Sequence, residues 1–148
     1  MVRTLVLALA LAACSKSDPP RHEDRHEPAT APTKLALAVA IGDAKEVWGD
    51  AAFAATPKLA GSARDGEARD TWSLRELVHR NVGPAARVTA VVSPGGRVLV
   101  EQTAWDDATR TPILHTTRRG TLKFRWADKA GTWGETVMKD VSALEIAR

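Results

Sequence analysis

Residues 87–101 read RVTAVVSPGGRVLVE. Arg87-Val88-Thr89-Ala90-Val91-Val92 and Arg97-Val98-Leu99-Val100-Glu101 are Val-rich runs of strand length, and Ser93-Pro94-Gly95-Gly96 gathers turn residues between them. β-Branched side chains suit a pleated surface and glycines after proline permit a sharp reversal, so the run is a β-hairpin. Just upstream, Ser73-Leu74-Arg75-Glu76 is a capping box, in which hydroxyl and carboxylate satisfy the free N–H groups of a new helix. It opens a helix over Leu74 to Val82 with Leu74, Leu77 and Val78 as its apolar stripe, and Gly83-Pro84 ends it.

Other elements flank this centre. Leu35, Leu37, Val39 and Ile41 alternate with smaller residues in Lys34 to Ile41, the pattern of a half-buried strand that Gly42-Asp43 terminates. Asp50 to Thr56 is an Ala-rich run around Phe53, halted by Pro57, and reads as a helix of two turns. Gly61 to Asp70 is polar, a loop or the start of an edge strand. On the other side, Trp105 to Thr109 reads as a helical turn, Pro112 to Thr116 as a short strand and Arg119-Gly120 as a turn. Thr121 to Trp126 is a strand with Leu122, Phe124 and Trp126 inward, and Val141 to Ile146 is the closing strand. Strands with interspersed helices define an α+β class: a single small domain, residues 34–148, with a mixed, mostly antiparallel sheet and two short helices.

Composition narrows the function. Lys and Arg number 21 against 18 Asp and Glu, a small excess compared with the dense basic arrays that displace counterions from nucleic acid, so nucleic acid is not an expected partner. One cysteine precludes an internal disulfide, a four-cysteine zinc site and a cysteine-bound cluster, each of which needs several thiolates at one point.

That cysteine has a telling position. Residues 1–13 carry one cation, Arg3, followed by an uninterrupted small and apolar run from Thr4 to Ala13, the layout of a secretory signal. The run falls well short of the ~20 apolar residues of a membrane-crossing helix, and Ser15, Lys16, Ser17 and Asp18 follow at once. Leu11-Ala12-Ala13-Cys14 resembles the lipobox of bacterial lipoproteins. The resemblance implies that the Cys14 thiol receives a diacylglyceryl group, that cleavage makes Cys14 the mature N-terminus, and that the lipid bilayer is a partner through Cys14. Two or three acyl chains, at ~0.8 kcal/mol per buried CH₂, would anchor durably where one would not. Ser15, where the family often has Asp for inner-membrane retention, leans toward the outer membrane facing the periplasm. The alternative is ordinary cleavage after Ala12, since Ala10-Leu11-Ala12 also fits a signal-peptidase site.

Residues 14–33 then read as the lipidated cysteine and a linker. The segment from Ser15 to Thr33 contains Pro19, Pro20, Pro28 and Pro32, many charges and no large apolar side chain, so it cannot bury enough surface to offset ordering. Within it, His22-Glu23-Asp24-Arg25-His26 matches the zinc-protease pattern H-E-x-x-H. The context contradicts the match: a zincin needs this motif on a buried helix with a third ligand, and here prolines flank it and no apolar face exists. No metal site is assigned.

The order of elements in the folded part carries a second resemblance. An Ala-rich helix, the Ser-Leu-Arg-Glu-Leu-Val helix, the Val-rich hairpin through Gly95-Gly96, the Arg-Arg-Gly turn, the Leu-Lys-Phe-Arg-Trp strand and the closing Lys139-Asp140-Val141-Ser142-Ala143-Leu144-Glu145-Ile146 run look like the molybdopterin-binding domain of sulfite-oxidase-like oxidoreductases. The likeness spans about residues 44 to 147. Family enzymes hold molybdenum through a cysteine thiolate within the domain, and after Cys14 this chain has none. The resemblance therefore implies the fold without the metal centre, a degenerate, non-redox relative with no cofactor. A molybdopterin-dependent oxidoreductase or accessory subunit is the alternative.

No catalytic residue is assigned. His79 and His115 lack Ser and Asp partners at motif spacing. Arg118, Arg119, Lys123 and Arg125 form a basic cluster, with Lys123 and Arg125 on the outward face of their strand, suited to phosphate, an anionic polysaccharide or a lipid headgroup. The competing reading is a solvated strand face that discourages edge pairing. Arg69, Arg75 and Arg80 are candidates to join the patch. Trp72 is placed to staple the helix start against position 76 or 77; Trp105 and Trp133, in polar surroundings, either pack in the core or stack on a sugar or partner. The expected function is a membrane-anchored envelope lipoprotein with a non-catalytic domain that binds an envelope protein or an anionic ligand.

Overall fold

The computed structural model describes residues 34–60 and 69–148. Its first strand, β1 (Ala36–Ile41), buries Leu37, Val39 and Ile41 as the alternation predicts. Gly42, at φ +58, takes the left-handed conformation that a two-residue reversal requires, and the chain returns as β2 (Ala44–Gly49), with Ile41 opposite Ala44. β2 was not expected from the sequence: an edge strand exposed from Ala44 to Val47 shows no alternation to read. It leads directly into α1 (Asp50–Ala54), shorter than the predicted Asp50 to Thr56 because Thr56 already turns toward Pro57.

The capped helix follows a short strand, β3 (Thr71–Ser73). α2 (Leu74–Asn81) buries Leu74, Leu77 and Val78, and the Ser73 hydroxyl accepts from the Glu76 N–H at 3.3 Å. The reciprocal half of the box is absent, for the Glu76 carboxylate accepts from Arg80 Nε at 2.6 Å instead. Trp72 is a core residue, but its partner is α1 rather than its own helix. Its ring meets Phe53 edge-on at 4.8 Å and its indole N–H donates to the Phe53 carbonyl at 3.1 Å.

The hairpin is β4 (Arg87–Ser93) and β5 (Gly96–Leu99), closed by Pro94-Gly95 with Ser93 opposite Gly96. α3 (Gln102–Asp106) begins three residues before the predicted turn at Trp105 and buries that tryptophan. β6 (Arg110–Thr116) and β7 (Leu122–Asp128) form a hairpin around the Arg119-Gly120 turn. β8 (Trp133–Met138) is a further edge strand that its polar sequence concealed, and β9 (Ala143–Ala147) closes the chain.

The expected α+β class with mostly antiparallel pairing is what the strands build; among the described residues they form two sheets, where one was expected, with three short helices rather than two. The first sheet runs β2-β1-β9-β4-β5, in which β1 and β9 are the parallel neighbours. The second runs β3-β6-β7-β8, antiparallel throughout. The core gathers Leu37, Val39, Val91 and Leu144 from the first sheet, Leu114 and Phe124 from the second, and Phe53, Leu77 and Trp105 from the helices. Each fully buried Leu, Val or Phe side chain of this set contributes about 1.5–3 kcal/mol.

Candidate functional site: the basic face of the second sheet

Pairing in register puts partners on one face of a sheet, so β6 and β7 sort their side chains by parity. Leu114 opposite Phe124 and Thr116 opposite Leu122 form the core-facing set; His115 opposite Lys123 and Ile113 opposite Arg125 form the other. Lys123 and Arg125 thus point away from Leu122 and Phe124, as the alternation of the strand indicates. β8 completes the face by placing Trp133 beside Ala127 and Thr136 beside Arg125.

The centre of this face is His115, only 4% exposed. Trp133 stacks on the imidazole with ring centroids 4.5 Å apart and planes at 26°. Arg125 donates from Nε to His115 Nε2 at 3.1 Å and from Nη1 to the Gly134 carbonyl at 2.8 Å, with its guanidinium carbon 5.9 Å from the Trp133 centroid. A guanidinium only donates, so His115 Nε2 is the acceptor and Nδ1 carries the hydrogen, which it donates to the Thr116 carbonyl at 3.0 Å. The imidazole is therefore neutral. Burial holds its pKa below the ordinary histidine value, the Thr116 carbonyl pulls the other way, and the charges of Arg125, Lys123 and Arg69 push it down further.

Lys123 and Arg125 meet His115 and are joined by Arg69, whose charge reaches the imidazole. Arg118 and Arg119 lie exposed in the reversal between β6 and β7, where the Thr117 hydroxyl accepts from the Arg119 and Thr121 N–H groups at 3.3 and 3.2 Å. Arg75 and Arg80, expected as possible recruits, serve the fold elsewhere. Arg75 donates to the carbonyls of Trp105, Asp107 and Arg110 at 2.7, 2.9 and 3.0 Å, which fastens α3 and the start of β6 to α2. Arg80 pairs with Glu76 one helical turn away.

Trp105 is buried beneath Arg75 and takes the core reading. Trp133 is neither in the core nor unattached, because its ring covers His115. His115 has no triad partner at motif spacing; what it does have is a cation and an aromatic plane, reached through strand register. The Ile113-Leu114-His115 run gave a faint signal, since it breaks the apolar–polar alternation of a one-sided strand, and the strand is buried on both faces from Pro112 to His115.

Cys14, the leader, the linker and the His22 to His26 motif lie outside the described residues. Among the described residues, no helix is long and apolar enough to cross a membrane, and no three His, Cys, Asp or Glu side chains gather as metal ligands. The residues present do not fit the molybdenum group that the resemblance brings with it, because its thiolate ligand has no counterpart among them. No family model, no curated protein and no solved structure matches this chain.

Proposed function

We propose that this chain is a membrane-anchored lipoprotein of the cell envelope, held by lipidated Cys14 in the outer membrane and facing the periplasm, whose folded domain binds an anionic group without catalysis. One observation carries the binding half of this reading. Lys123 stands opposite His115 in the β6–β7 ladder and Arg125 donates to its Nε2, so two cations gather on the sheet face around an uncharged imidazole. An anion on such a face accepts charge-assisted hydrogen bonds from the cations gathered there. His115, the Gly134 carbonyl and the Trp133 ring fix the orientation of Arg125 on this face. The chemistry recognised is a phosphate-type oxyanion, on a lipid headgroup or free in solution.

The test uses the full chain. Cys14→Ser should move the protein from the membrane fraction to the soluble fraction; persistence in the membrane overturns the anchor. Binding is measured separately, with inorganic phosphate and with vesicles of anionic or zwitterionic lipid. Lys123→Glu is expected to weaken anion binding at least about tenfold, with a steep dependence on salt. Saturation by inorganic phosphate alone identifies a soluble ligand, and binding to anionic vesicles alone a headgroup. Equal binding by wild type and Lys123→Glu overturns the site. The alternative, a molybdopterin-dependent oxidoreductase, rests on the resemblance only; molybdenum or a pterin in the purified chain would establish it.

A further inference from the structure

Backbone bonds at the start of β9 bring reversals of both sheets to one end of the domain. The Val141 N–H donates to the Leu122 carbonyl at 2.9 Å, the Ser142 N–H to the Val92 carbonyl at 2.9 Å, and the Ala38 N–H to the Ser142 carbonyl at 3.0 Å. The start of β9 is thus fixed beside the start of β7, the end of β4 and the first half of β1. Beyond these points lie the 117–121 reversal, the Lys139-Asp140 turn, the Pro94-Gly95 turn and Lys34, where the chain enters the fold.

Charge is unevenly shared between this end and the other. Lys34, Arg118, Arg119 and Lys139 are exposed here, and Lys123 stands next to the 117–121 reversal. Among the described residues, the carboxylates at this end are largely engaged: Asp50 accepts the Leu35 N–H at 2.8 Å, and Asp70 pairs with Lys58 at 2.8 Å. Asp140 sits in the turn beside Lys139. The opposite end mixes the signs, with Asp43, Glu101, Asp106 and Asp128 placed among Lys129 and Arg148.

We propose that this basic end is a membrane-facing surface that lies against anionic phospholipid headgroups. The proposal rests on the lipid anchor at Cys14 and not on the face around His115. The point of chain entry is the first reason. Residues 15–33 connect Cys14 to Lys34, so an anchored chain is tied to the bilayer through this end, and the tether raises the effective concentration of lipid enough for a weak attraction to act. Charge is the second. Exposed cations are drawn to an anionic leaflet while keeping their water, and the attraction sums over residues and fades within a Debye length. Spread over the chain entry and separate turns, these cations suit a continuous charged surface better than one small anion.

The lipidated full chain, reconstituted in vesicles, tests this. A neutral amine-acylating reagent and mass spectrometry read the labelling rate of each lysine, in phosphatidylcholine alone and mixed with phosphatidylglycerol. Lys34 and Lys139 should react at least about threefold more slowly on the anionic vesicles, with the difference lost at high salt, while Lys45 and Lys129 at the other end keep one rate. Arg119→Glu combined with Lys139→Glu should restore most of the Lys34 rate. Lys45→Glu combined with Lys129→Glu, the same change of charge at the other end, should leave Lys34 protected. All four substituted positions are exposed, and circular dichroism checks the fold; if either variant does not fold, the wild-type labelling pattern decides alone. A chain that stays on zwitterionic vesicles but labels identically in both lipids overturns the proposal and leaves the anchor standing. Equal protection of Lys34, Lys45 and Lys129 overturns it too, because the domain then has no preferred end. A chain that zwitterionic vesicles do not hold overturns the anchor, and the proposal with it.

Discussion

His115 is the residue at which stability and the proposed site meet. Arg125, Lys123 and Arg69 face it with positive charge, Trp133 covers its ring, and its pKa in the folded chain lies below the ordinary value of 6.5. In the unfolded chain the same imidazole titrates near that value. Between the two pKa values the unfolded state binds the extra proton and the folded state refuses it, so stability rises with pH through this window. Acidification below about 6.5 should therefore destabilise the wild type, with the loss levelling off once pH falls below the folded pKa. His115→Gln keeps an acceptor for Arg125 and does not titrate. Urea denaturation at a series of pH values should show this part of the slope in wild type and not in the variant; identical slopes would mean that His115 is not held neutral. Little of this environment was legible beforehand. Lys123 and Arg125 could be assigned to the outward face by parity within one strand, whereas the meeting of His115, Arg125 and Trp133 depends on the pairing of β6, β7 and β8, which no local pattern encodes.

At the scale of single elements, legibility followed local chemistry. The β4–β5 hairpin and α2 were readable because turn residues, a cap and an apolar stripe all lie within a few residues of one another. β2 and β8 were missed for a shared physical reason: both are edge strands, and a strand paired on one side and largely solvated does not need alternating apolar residues. β8 also slips register against β7 between Phe124 and Arg125 and again between Arg125 and Ala127, which breaks the period of two. For α2 the structure separates the two halves of its capping box. Ser73→Ala removes the acceptor of the Glu76 N–H and should lower unfolding free energy by about 1 kcal/mol. Glu76→Ala loses only an exposed pair with Arg80 and should cost about 0.3–0.5 kcal/mol. Equal costs in thermal or chemical denaturation would show that the carboxylate caps after all.

Across the whole molecule, the decisive strand is the last one. β9 lies in the middle of the first sheet, parallel to β1 on one side and antiparallel to β4 on the other, so β1 has no route to β4 without it. Ala38 is paired with Ala143 and Val39 with Leu144, contacts that span nearly the whole described chain. The class of the fold was readable from the succession of elements, but this insertion was not, since β9 looks locally like any closing strand. Long-range pairing of this kind is formed late, because loop closure must precede the contacts that reward it. It follows that β1–β2 and β4–β5 cannot hold the first sheet together as separate hairpins: isolated two-stranded pairs are marginal in water, and the apolar faces of Leu37, Val39 and Val91 would lose the buried Leu144 and Ile146 between them. Ending the chain at Asp140 should thus abolish the cooperative unfolding transition altogether rather than lower its midpoint, and near-ultraviolet circular dichroism of the buried Trp48, Trp72 and Trp105 should collapse with it. Retention of a sharp transition by the truncated chain would mean that β1 and β4 close directly on each other.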